Sequence, residues 1–76
     1  MTHPPRDDEL AARFSFHPAT ETTAPLHEAV RATCLFAAKN IRERTPPSRE
    51  QSLAFTALQE AMMWANAAIA IHGAPA

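Results

Sequence analysis

The segment from Ser48 to His72 constrains this chain more than any other. Ser48, with Gln51 three positions on, is a helix start of the capping-box type. The helix it opens culminates in Ala61-Met62-Met63-Trp64-Ala65-Asn66-Ala67-Ala68-Ile69-Ala70, apolar on nearly every face and broken by one amide. A helix that is hydrophobic all round is buried all round. A chain of 76 residues hides only a modest share of its surface. Such a helix therefore needs cover from other copies, and the sequence predicts a subunit of a multi-chain bundle with this helix near its centre.

Covalent cross-links do not stabilise this small domain. Cys34 is the only cysteine, so no intrachain disulfide forms. It reads as a small buried hydrophobe, in keeping with a reducing compartment. The only glycine is Gly73, which rules out the glycine-rich phosphate loops of the Walker and Rossmann types. Seven basic and eight acidic residues give a net charge of −1. That balance argues against a protein that coats DNA or RNA, while leaving room for a local basic pocket that holds a small anion. Pro4, Pro5, Asp7 and Asp8 stand where a signal peptide needs an apolar core. No apolar run approaches the ~20 residues of a membrane span. The expectation is a soluble cytoplasmic chain with no membrane partner.

Residues 1–19 read as an N-terminal arm and residues 20–76 as a helical hairpin domain. Met1 to Arg6 is Pro-rich and expected to fray. Asp8 to Arg13 can form a short helical turn anchored by Leu10, and Phe14-Ser15-Phe16 alternates like an extended segment. A first long helix fits from Thr20 or Thr23 to Arg44, with Pro25 tolerated in its first turn. Leu26, Val30, Cys34, Ala37 and Ile41 follow the spacing of one helical face. Thr45-Pro46-Pro47 ends this helix. A second runs to about His72, with Gly73 as its stop. A connection this short forces the two helices antiparallel. On the second helix, Ala54, Ala57, Ala61, Ala65 and Ala68 form a small-residue row suited to close helix approach, with Phe55, Leu58, Met62, Trp64, Ile69 and Ile71 projecting elsewhere. The fold class is all-α: a short arm plus an antiparallel two-helix hairpin, assembled into a homo-oligomeric bundle.

Catalysis finds little support. His3, His17, His27 and His72 lack the close helical spacing of a zinc pair and there is no cysteine cluster. They read as solvated or structural. Asp7-Asp8-Glu9 reads as a solvated helix start, and no serine sits in a nucleophile elbow. No cofactor is indicated. Asn66 is more pointed, because an amide in an apolar stretch is costly unless hydrogen-bonded. It either sets the register of the bundle or supports a ligand pocket. Arg31 either pairs with Glu28 or holds a phosphate through its paired donors. Arg49, in the first turn of the second helix beside free backbone N–H groups, either pairs with a carboxylate or meets an anion. Phe14 and Phe16 on the arm either dock on the hairpin or stack on a nucleobase.

Phe16-His17-Pro18, His27-Glu28-Ala29-Val30-Arg31, Ser48-Arg49-Glu50-Gln51-Ser52-Leu53-Ala54 and the run from Ala61 to Ala70 together resemble the phage-encoded hairpin family of anti-CBASS and anti-Thoeris sponge proteins. The resemblance covers residues 14 to 72, and the last two segments are its specific part. It implies a homohexamer of helical hairpins. The implied activity is binding without cleavage: sequestration of cyclic di- or trinucleotides, or cyclic ADP-ribose isomers, in the host bacterial cytoplasm. It also implies candidate ligand contacts. Phe16 stands before the His17-Pro18 pair, Arg31 and Thr33 lie in the first-helix contact region, Arg49 and Glu50 open the second helix, and Asn66 matches the family amide. Many members continue the Ala-Ile-Ala run with arginine, where this chain has Ile71 and then His72. The alternative reading is an oligomeric helical adaptor that binds another protein.

Overall fold

Threonine and proline decide where the first long helix begins. In the computed structural model, which describes residues 6–75, the helices are α1 (Asp7–Phe14), α2 (Ala24–Arg44) and α3 (Arg49–His72). Ahead of α2, the Thr23 N–H donates to Thr20 Oγ1 (3.1 Å) and the Thr20 N–H donates to Thr23 Oγ1 (2.8 Å). This reciprocal pair of threonines closes the turn ahead of α2 with the same two-way bonding as a capping box. The Ala24 N–H reaches the Thr20 carbonyl (2.9 Å), so this turn leads directly into α2, with Thr23 at the N-cap position. Pro25 then falls within the first turn, where its missing N–H costs little. Of the two expected caps, Thr23 takes the N-cap position, with Thr20 as its reciprocal partner; Thr23 is the one buried polar residue among those described.

The turn between α2 and α3 differs in one respect from its sequence reading. Ser48 Oγ accepts from the Gln51 N–H (3.1 Å), as a cap should. The Gln51 side chain does not return to Ser48. Its Nε2 crosses the turn to the Thr45 carbonyl (3.1 Å) and Thr45 Oγ1 (3.0 Å). Thr45, the C-cap of α2, thus gains a donor for its carbonyl from across the turn. At the far end Gly73 has φ +85° and its N–H closes on the Ile69 carbonyl (2.8 Å), a stop that suits a residue without Cβ.

The five α2 positions of the predicted face, Leu26, Val30, Cys34, Ala37 and Ile41, are all half-buried and mark the seam of the hairpin; Leu26, Val30 and Cys34 share a groove with Ala61, Ala65 and Ile69 of α3. On α3 the seam is Phe55, Leu58, Met62, Ala65 and Ile69, at alternating spacings of three and four. This corrects the expected division of that helix. Leu58, Met62, Phe55 and Ile69 are half-buried, while Ala57, Ala61 and Ala68 of the small-residue row are all exposed. The α2 face is made of modest side chains, and the longer ones on α3 fill the space that an alanine row would leave empty.

The arm is more ordered than its sequence suggests. Residues 1–5, part of the expected frayed start, lie outside the described residues, as does Ala76. Arg6 is the N-cap position of α1 and reaches Asp8 and Glu9 (3.4 Å each). Phe14, expected to be extended, is the last residue of α1. The Ser15 hydroxyl donates to the Ala11 carbonyl, and His17 Nε2 donates to the Ala12 carbonyl (2.6 Å). These bonds satisfy C-terminal carbonyls of α1 and turn the chain toward α2.

Among the described residues no hydrophobic side chain is buried, while Phe36 is 71% and Trp64 68% exposed. The Cα radius of gyration is 15.7 Å, against the ~11 Å of a compact domain of this length. The described helices include none long and apolar enough to cross a membrane.

Candidate ligand-binding edge of the hairpin

One polar pair interrupts the apolar seam. His27 Nδ1 lies 2.9 Å from Asn66 Oδ1. An amide oxygen only accepts, so Nδ1 carries the proton and donates. Both residues are half-buried, and the bond answers the cost of an amide in this position. Sequence reasoning places His27 only among solvated or structural histidines and misses its partner. A clue lies in the chain: His27 and Asn66 are equidistant from the Pro46–Pro47 junction, so folding the hairpin about that junction sets them side by side.

Arg31 follows His27 by one turn on the same edge of α2. It lines a groove with Leu35, Ala38, Phe55, Gln59 and Met62, and Asn66 sits one turn beyond Met62 on α3. The pairing of Arg31 with Glu28 expected from the sequence does not form, since the ion pairs among the described residues are those of Arg6. Arg31 is exposed and its donors are open to an anion.

Thr33 is not with Arg31. It faces the other side of the seam, in an apolar groove with Leu26, Val30, Ala61, Ala65 and Ile69. Two residues apart on a helix lie roughly 200° around the axis, so one hairpin cannot bring both to one small ligand. Arg49 and Glu50 are exposed in the first turn of α3. Asn66 stands roughly 25 Å further along the helix axis, so Arg49 and Asn66 also belong to separate regions of a single chain.

The remaining candidates gather near the open end of the hairpin. Phe16 is 87% exposed and its ring is free to stack. His17 is half-buried and committed to the Ala12 carbonyl, which makes it a fastener of the arm in this structure. His72 shares a shallow groove with Arg13 of α1 and with Trp64, Ala67 and Ile71 of α3. Arg13 and Trp64 are absent from the sequence-based candidates. Nothing in their spacing joins them, because α1 returns to α3 only through the turn at His17.

Within one chain, then, the candidates divide into four places, Thr33 standing alone on the opposite groove. Arg31 and Asn66 share an edge, with His27 behind them. Arg49 and Glu50 stand at the turn, and Phe16 and His72 lie toward the other end. No curated protein and no solved structure matches the chain. A family model does: that of the Acb2/Tad1 hairpin domain, over residues 6–70. The match takes in α1 and α2 and stops just short of Ile71 and His72, where the expected family arginine is absent. The chain belongs to the Acb2/Tad1 hairpin-domain family, that of the anti-CBASS and anti-Thoeris sponges.

Proposed function

We propose that this protein is a phage immune-evasion sponge that binds cyclic oligonucleotide messengers and holds them without cleaving them. The observation that carries the reading is the family match over residues 6–70. Two features of the chain support it. The hairpin has no buried hydrophobic residue among those described, so copies must cover one another, in a homohexamer by analogy with the family. Arg31 and Arg49, like Arg13, Arg42 and Arg44, have no carboxylate partner among the described residues, so their guanidinium groups are open to phosphates.

In this reading the ligand sits between subunits. Arg31, Thr33 and Arg49 lie apart within one hairpin, so a site that uses more than one of them draws them from different chains. Phosphates meet Arg31 at one type of site and Arg49 with Glu50 at another, while Phe16 offers a ring for a base. The candidate ligands are cyclic di- and trinucleotides and cyclic ADP-ribose isomers, bound in the bacterial cytoplasm during infection. Sequestration acts by mass action, so it works only where the protein is abundant and the dissociation constant lies below the messenger concentration.

The exposed Phe36 and Trp64 favour one alternative, an oligomeric adaptor that binds another protein through these rings. Calorimetry of the purified protein against a panel of cyclic di- and trinucleotides and cyclic ADP-ribose isomers separates the two. The sponge reading expects at least one tight ligand, and no binding across the panel favours the adaptor.

A further inference from the structure

We infer that His27 is a positioning residue. It fixes the Asn66 amide so that Asn66 Nδ2 and the Arg31 guanidinium form an oxyanion subsite on one edge of the hairpin, for a ligand of the phosphodiester class. The inference deepens the sponge reading and rests on it for the identity of the natural ligand.

Free to rotate, an asparagine side chain offers an acceptor or donors to whatever approaches. Here Asn66 Oδ1 is engaged by His27 Nδ1 at 2.9 Å. Nδ2 has no acceptor among the described residues. The half-buried amide therefore presents N–H groups as its remaining polar surface. Arg31, one turn beyond His27, has only donors and no carboxylate within reach among the described residues. Gln59, in the groove with Arg31 and Met62, adds an amide further along α3.

An edge composed this way favours acceptors. Oxygens of a phosphodiester satisfy both the amide and the guanidinium, and charge-assisted bonds are the stronger kind. If His27 is removed, the amide can rotate and turn Oδ1 outward, against the oxyanion. A glutamine in place of His27 restores a side-chain N–H donor that can hold Asn66 Oδ1.

Asparagine occurs only twice in the chain, at Asn40 and Asn66, so selective labelling reads the amide directly. Asn40 is committed to the Phe36 carbonyl and to Arg44 and serves as an internal control. The assembled protein, labelled with ¹⁵N-asparagine, is titrated with inorganic phosphate and separately with 3′,3′-cyclic di-AMP. The unchanged protein, His27→Gln, His27→Ala and Asn66→Asp are compared by NMR and calorimetry, with mass by light scattering to verify equal assembly. The expected result is a saturable phosphate shift of the Asn66 amide, with Asn40 still. For whichever probe binds, affinity falls at least tenfold in His27→Ala and in Asn66→Asp, and returns to within threefold of the unchanged protein in His27→Gln. Equal affinity in His27→Ala and the unchanged protein overturns the positioning role while leaving the sponge reading intact. Phosphate binding that depends on His27, with no cyclic nucleotide bound, upholds the subsite and removes the sponge reading. An Asn66 amide that responds to neither probe overturns the subsite.

Discussion

Replacing Trp64 by alanine tests whether the uncovered face of α3 is an interface between copies. Trp64 is 68% exposed in the single chain. A tryptophan buries up to ~250 Å², so roughly 170 Å² of this side chain awaits a partner. At ~25 cal/mol per Å², covering it stabilises the assembly by about 4 kcal/mol per subunit. Alanine keeps roughly a quarter of that area, so the loss is about 3 kcal/mol, on the order of 100-fold in an association constant. Alanine is also the best helix former, so weakened helix propensity cannot be the cause. The assay is light scattering after size-exclusion chromatography across a dilution series, with circular dichroism at each step. Trp64→Ala should dissociate at concentrations where the unchanged protein and an exposed control, Glu43→Ala, remain assembled. A Trp64→Ala protein that keeps its mass and melting temperature throughout the series would falsify the interface argument.

Other expectations concern the turn, the helix end and the two arginines. Ser48→Ala removes the acceptor for the Gln51 N–H and should destabilise by about 1 kcal/mol, read as a lower thermal midpoint at fixed protein concentration. Gln51→Ala deletes the crossing bonds to Thr45; a loss of roughly 1 kcal/mol is expected, and an unchanged melt would mean the clamp contributes nothing. Gly73→Ala places a Cβ at φ +85° and ψ −158°, where no neighbour lies within 4 Å, so the cost is backbone strain alone, about 1–3 kcal/mol. Arg31→Ala and Arg49→Ala should weaken different ligands in calorimetry, because the two side chains belong to different regions of the hairpin. If each change weakens every ligand equally, the two-site assignment fails.

The sequence carries much of the hairpin and less of its detail. Helix starts and stops at Thr23, Ser48 and Gly73 depend on local chemistry, and local chemistry is readable. The α2 seam is legible because its apolar positions stand against a polar face containing Glu28, Arg31, Lys39 and Arg42. On α3 no such contrast exists. A helix apolar on every side does not announce which side its own neighbour takes, and its alanine row imitates a seam on that account. The spacing of Gln51 from Ser48 suggests a closed box, yet the Gln51 side chain bonds Thr45 across the turn. The His27–Asn66 bond spans two helices and emerges only once the hairpin is folded about Pro46–Pro47. The grouping of site residues lies beyond the sequence for the same reason. Arg31 and Thr33 are neighbours along the chain and face opposite grooves in space.

The most direct test of sequestration asks whether a messenger goes in and comes out unchanged. Purified protein is incubated with the panel of cyclic nucleotides, separated from free ligand, heat-denatured, and the released material identified by mass spectrometry. A sponge returns at least one intact cyclic nucleotide in stoichiometric amount. A linear or hydrolysed product, or no bound ligand from the entire panel, would contradict that role.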